Sequence, residues 1–136
     1  MNRLLSLILY AFVIFAFPFC TKSSSTPTPT YPIVGLWIGT AKVNGQSADS
    51  VYFSLDIRSD SSLLVQGQGG DGNTYYGAGR WSLSGTSLTG STTILNLSQA
   101  GVVQTITAVY NNTGVLVGTW QNNSSTSGTF VLQRVD

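Results

Sequence analysis

From Ile33 to the C-terminus, apolar and polar side chains alternate with a period of two. That is the period of an extended strand, whose successive side chains point to opposite faces. The clearest run is residues 51–58. Val51, Phe53, Leu55 and Ile57 fall on one face, and Tyr52, Ser54, Asp56 and Arg58 on the other. The run predicts a strand with one buried face and one charged, solvated face. The same template predicts strands over 33–43, 50–58, 62–68, 74–83, 87–95, 103–111, 114–121 and 126–134. Turn formers separate them, including Asn44-Gly45, Asp71-Gly72-Asn73, Ser84-Gly85-Thr86 and Asn111-Asn112-Thr113-Gly114. No helical period lies between them. The expected core is Trp37, Phe53, Leu55, Ile57, Trp81, Leu83, Trp120, Phe130 and Leu132.

Eight short strands with short connections pair most simply as sequential antiparallel neighbours. They can close into an up-and-down barrel or split into a sandwich. A recurring pattern favours the barrel. Each tryptophan follows a glycine by two residues, in Gly35-Leu36-Trp37, Gly79-Arg80-Trp81 and Gly118-Thr119-Trp120. Gly128-Thr129-Phe130 repeats it with phenylalanine. Strand-interior glycine permits the coiling a small barrel needs, and the ring supplies area that glycine lacks.

Residues 1–32 follow a different pattern. Arg3 precedes an uncharged run from Leu4 to Phe19, and Cys20 follows at once. Residues 21–32 are a Ser/Thr/Pro stretch that cannot pack a core and favours an extended spacer. The chain therefore divides into a hydrophobic signal segment (1–20), a disordered tether (21–32) and one all-β domain (33–136). Leader, cysteine and polar tether together resemble a bacterial lipoprotein precursor. That resemblance implies cleavage before Cys20, diacylglycerol on its sulfur, and a lipid-anchored protein on the periplasmic or surface face of the cell envelope. Phe19 and Pro18 depart from the small residues that this family carries before its cysteine, so an uncleaved membrane anchor is the competing reading.

Composition narrows the chemistry. Charged residues make up 8% of the chain, and neither Glu nor His occurs. Residues 33–136 carry Lys42, Arg58, Arg80 and Arg134 against Asp49, Asp56, Asp60, Asp71 and Asp136, four positive and five negative. There is no basic patch, so nucleic acid is not an expected partner. Without His, and with Cys20 as the lone cysteine, no Ser-His-Asp or Cys-His system can form. The aspartates sit at turns or on a solvent face, which predicts no catalytic residues and no enzyme. The Gln66–Asn73 loop offers one carboxylate where calcium takes 6–8 oxygens, so no metal and no cofactor is expected. Asn96, Asn111, Asn122 and Asn123 begin Asn-x-Ser/Thr sequences and are read as turn and strand residues.

Large aromatics remain: Trp37, Tyr75, Trp81, Tyr110, Trp120 and Phe130. They either fill the barrel or line an open mouth that holds a small apolar or sugar-like ligand. The candidate ligand-binding set is Trp37, Trp81, Tyr110, Trp120, Phe130 and Arg134. Gly35-Leu36-Trp37 on the first strand resembles the Gly-x-Trp of lipocalins, within the calycin-type barrels that also include avidins. The resemblance implies an arginine packed over that tryptophan, a place Arg134 would take by a cation–π contact. Tyr31-Pro32-Ile33-Val34-Gly35-Leu36-Trp37-Ile38-Gly39-Thr40, coming after the leader, resembles small uncharacterised lipoproteins of the Bacteroidetes type. This implies location and a one-domain barrel, and no activity. The expected protein is a monomeric, lipid-anchored structural or interaction module, or a binder of a small ligand.

Overall fold

The computed structural model describes residues 32–46, 50–96 and 99–136. The signal segment, Cys20 and the tether up to Tyr31 lie outside the described residues, as does Asp49. Eight strands follow in chain order: β1 Gly35–Val43, β2 Val51–Ile57, β3 Ser62–Gln68, β4 Thr74–Ser84, β5 Ser87–Ile94, β6 Val103–Tyr110, β7 Val115–Asn122 and β8 Ser127–Arg134. Each lies within two residues of the segment that alternation predicts. Each pairs antiparallel with the next, and β8 returns to β1, closing the barrel. The sandwich is thereby excluded. Closure leaves no free strand edge.

Alternation becomes inside and outside. β5 runs exposed, buried, exposed, buried along its length, with Leu88, Gly90, Thr92 and Ile94 inward. β8 does the same with Gly128, Phe130 and Leu132. The core gathers Trp37, Phe53, Leu55, Ile57, Leu63, Leu88, Ile106, Leu116, Phe130 and Leu132, each 1% exposed or less. Phe53 and Phe130 meet at 5.4 Å between ring centroids. Leu83 departs from the expected core at 38% exposed. β3 begins at Ser62, opposite Arg80, so nothing from β3 flanks the last turnward residues of β4. Trp81, half-buried at the same margin, donates its indole N–H to the Arg58 carbonyl at 2.8 Å.

Glycine and ring do pack together, but across strands rather than along one. Gly118 is the register partner of Phe130, and Gly128 of Trp120. A Cβ on Gly118 would sit 2.5 Å from the Phe130 ring, and one on Gly128 2.6 Å from the Trp120 indole. β7 and β8 thus exchange rings over each other's glycines. Tyr75 covers its partner Gly67 in the same way. A ring laid over a bare backbone buries both, and lets the strands coil tightly enough to close.

The two ends differ. One end holds the start of β1, the β2–β3, β4–β5 and β6–β7 turns, and the end of β8. The chain enters across this base. Trp37 donates its indole N–H to the Ile33 carbonyl at 2.8 Å, and Arg134 Nη1 donates to the Pro32 and Val34 carbonyls at 2.6 Å each. Tyr110 meets Trp37 edge-on at 6.4 Å. The base is plugged by these contacts. The opposite end, between the β1–β2, β3–β4, β5–β6 and β7–β8 connections, is the mouth.

Candidate functional site, the mouth of the barrel

Antiparallel pairing sorts inward residues by end. Those at the end of an odd strand or the start of an even one face the mouth. Ala41 and Val43 come from β1, Val51 from β2, Tyr75 from β4, Ile94 from β5, Gln104 from β6 and Trp120 from β7. With Val102 and loop residues such as Gln46, Gln99 and Thr126, they line a cavity of about 400 Å³. That volume is in the range that holds a small organic ligand.

The wall is unequal in chemistry. Ala41, Val43, Val51, Ile94 and Val102 are apolar. β6 and β7 bring Gln104 and Trp120 to the same lining, and Thr92 on β5 is buried beside Gln104. Thr92 and Gln104 are register partners, 1% and 4% exposed. Trp120 sits diagonally across from Gln104, since Gln104 pairs with Asn122. Thr92 Oγ1, Gln104 Oε1 and Trp120 Nε1 are all buried without a hydrogen-bond partner. Such atoms cost about 1–3 kcal/mol each when left unpaired. Most buried polar atoms in folded proteins are satisfied, so the two on cavity-lining residues, Gln104 and Trp120, stand out.

Tyr75 completes the lining. Burial pushes its phenol above the ordinary value, and a side-chain hydrogen bond from Gln104 opposes that rise. The phenol therefore stays protonated at neutral pH. Among the described residues, no charged side chain points into the cavity. Lys42 borders it, but Lys42 faces outward between Ala41 and Val43 and is exposed.

The six aromatic and cationic candidates do not form one site. Trp120 alone lines the mouth. Trp37, Trp81, Tyr110 and Arg134 lie toward the base, and Phe130 fills the middle. Trp37 and Arg134 are register partners, as closure of β1 on β8 requires. The Arg134 guanidinium, however, bonds backbone carbonyls and lies against Gly35. Val43, Val51, Ile94, Val102 and Gln104 are mouth residues outside the candidate set. Strand parity was the signal for them: they hold the inward positions nearest the mouth turns.

The described aspartates are engaged elsewhere. Asp56 pairs with Arg58 at 2.9 Å, and Asp136 with Arg134 at 3.6 Å. Asp60 accepts from the Ser62 backbone and hydroxyl, and Asp71 from the Asn73 backbone and amide. These bonds hold both carboxyls below the ordinary value. Among the described residues, no group of three or more His, Cys, Asp or Glu could hold a metal. No helix among them is long and apolar enough to cross a membrane. Asn96 bridges to β4, accepting from the Tyr76 N–H and donating to the Thr74 carbonyl. Asn111 and Asn122 cap their turns.

No protein-family model and no curated protein matches the chain. Among solved structures it is similar to designed barrels. A redesigned β-barrel, b11L5F_LGL, is 18% identical with a TM-score of 0.57, over 76% of this chain and 91% of that one. The redesigned barrel mFAP1, bound to DFHBI, is 19% identical with a TM-score of 0.58, over 74% and 94%. A fluorescence-activating β-barrel designed de novo is 14% identical with a TM-score of 0.53, over 79% and 96%. At these identities the likeness is one of fold: a small, closed, eight-stranded antiparallel barrel.

Proposed function

We propose that the protein is a lipid-anchored, extracytoplasmic barrel module that binds a small ligand in its mouth. One observation carries the binding half. An otherwise well-packed barrel keeps a cavity of about 400 Å³ at one end, and two of its lining residues, Gln104 and Trp120, carry a buried polar atom with no protein partner. A purely structural barrel gains nothing from that arrangement, since apolar filling of the same space would add stability. The redesigned barrel mFAP1, bound to DFHBI, illustrates that a barrel of this size can host a small molecule. Binding rather than catalysis is assigned because the described aspartates are engaged in turns and ion pairs. The closed ladder, with no strand edge to pair with a second copy, fits a monomer.

Native mass spectrometry of the full-length chain, purified from the membrane fraction of the bacterium expressing it, tests the reading. One reproducible small-molecule adduct is expected, and Val51→Trp, which fills the mouth, should abolish it. A bare protein mass in every preparation would refute ligand carriage.

The anchoring half rests on Cys20 between the leader and the Ser/Thr/Pro tether. Labelled fatty acid should enter the wild-type chain and not Cys20→Ala. Equal labelling of both would show that the membrane attachment is not a lipid on this cysteine.

A further inference from the structure

The outer wall of the barrel has two unlike sides. Outward positions on β2 and β4 carry Asp56 and Arg80, and Arg58 and Asp60 follow β2. Outward positions on β6, β7 and β8 hold only Val, Thr, Ser and Gln. Register draws the valines together. Val109 pairs with Val117, and Val117 with Val131. Val135 follows β8 and donates its backbone N–H to the Leu36 carbonyl at 2.9 Å. These five side chains are between 39% and 61% exposed. Gln133 lies between Val131 and Val135, flanked by its partners Val115 and Ile38, which are partly exposed. The result is one apolar strip along β8 and its neighbours. The described charges at its border, Asp56 beside Leu36 and Asp136 after Val135, are each ion-paired to an arginine. An exposed apolar strip with a polar rim marks a protein or membrane contact.

The strip lies at the end where the chain enters. Val109 is the penultimate residue of β6, Val115 opens β7, and Leu36 is the second residue of β1. Arg134 holds Pro32 and Val34 there by their carbonyls, so the preceding chain leaves the base beside the strip. We propose that this strip rests on the lipid surface to which the chain is anchored, with the base toward the membrane and the mouth facing the aqueous side. The inference rests on the lipid-anchored reading above. Residues 21–32 span at most about 40 Å when fully extended. A barrel confined that near the bilayer meets it at high effective concentration, so a modest apolar strip suffices. A protein partner asks for more, since a stable interface takes roughly 20–30 residues a side. A lipid surface also needs no shape complementarity. No Lys or Arg lies within the strip, so the attraction is to the apolar layer rather than to lipid charge.

The test uses the full-length chain, purified from the bacterial membrane and reconstituted in phosphatidylcholine vesicles. A thiol-reactive nitrobenzoxadiazole dye is placed on Val117→Cys, on Val131→Cys, or on Ser82→Cys. Ser82 is exposed near the base on β4, four strands round the closed barrel from β8. Doxyl-labelled lipid should quench the dye at positions 117 and 131 at least threefold more than at 82. Val117→Asp should remove that excess from the dye on Val131→Cys. The contrast should persist when part of the lipid is replaced by phosphatidylglycerol. Equal quenching at 82 and 117, or quenching at 82 alone, would overturn the docked face while anchoring stands. So would a contrast that appears only with the anionic lipid. A dye at 117 shielded from water but untouched by doxyl lipid would assign the strip to a second copy instead. Cys20 takes no dye when its sulfur carries lipid, so the wild-type chain should stay unlabelled. Dye on the wild-type chain would overturn the lipid anchor, and the docking with it.

Discussion

Gly128 faces the Trp120 indole on the neighbouring strand, and the Lys42 carbonyl crowds the same spot. A methyl group there has nowhere to go, because one obstacle is backbone and the other is a ring locked in the core. Gly70, in the β3–β4 connection, has no atom within 4 Å of its Cβ position. Gly128→Ala should therefore destabilise the barrel by at least ~1–3 kcal/mol, the usual range for overpacking a core. Gly70→Ala should stay within about 0.5 kcal/mol of wild type. Urea denaturation of the two variants checks the contrast, and equal midpoints would contradict the cross-strand packing. The sequence carried half of this relation. It showed that glycine and ring recur together, but the partner of each glycine is set by register, which spacing along one strand does not reveal.

At the scale of elements, strands were legible because each keeps one face dry. A one-residue slip would turn that face to water, so alternation marks both the strand and its register. Leu83 shows where this reasoning stops. Its parity is inward, but a strand is dry only where its neighbours extend as far, and their lengths are not local information. The turns were legible for a separate reason, their own hydrogen-bonding side chains. Asp60 caps the β2–β3 turn and Asp71 the β3–β4 turn, each as a carboxylate held below its ordinary value by the bonds it accepts. The folded state thus favours the ionised form more than the unfolded chain does. Their contribution is fully present above the ordinary aspartate value of about 4, and is lost as pH falls through the lowered folded values. Asp60→Ala and Asp71→Ala should lower the denaturation midpoint at pH 7. The gap from wild type should close progressively below pH 4. A gap unchanged by acid would mean that the carboxylates do not act through their charge.

On the scale of the whole molecule, the barrel divides its work between two ends. The large aromatics, read from the sequence as either filling the barrel or lining a mouth, divide into a base plug of Trp37, Tyr110 and Trp81, a middle occupied by Phe130, and Trp120 at the mouth. Composition could not make that division, since a tryptophan looks the same at either end. Strand parity could, once sequential antiparallel order was assumed. The small and amide side chains of the mouth gave no signal of their own. Arg134 tests the division. Its guanidinium joins the last strand to the entering chain through the Pro32 and Val34 carbonyls, and its side chain is 16% exposed. Hydrogen bonds to a charged donor contribute about 1.5–3 kcal/mol where solvent is largely excluded. Arg134→Met keeps much of the hydrocarbon stem and removes those donors, so it should lower stability by about that amount. It should also speed amide exchange near Trp37. The mouth lies at the far end of the strands, beyond the distance over which substitutions usually couple. Ligand affinity, measured well below the melting transition, should therefore remain within about twofold of wild type. Val51→Trp should give the reverse result, with the base and its slow exchange intact and binding lost. If Arg134→Met weakened binding as strongly as Val51→Trp, the base and the mouth would have to be one cooperative site, and the separation of plug from pocket would fail.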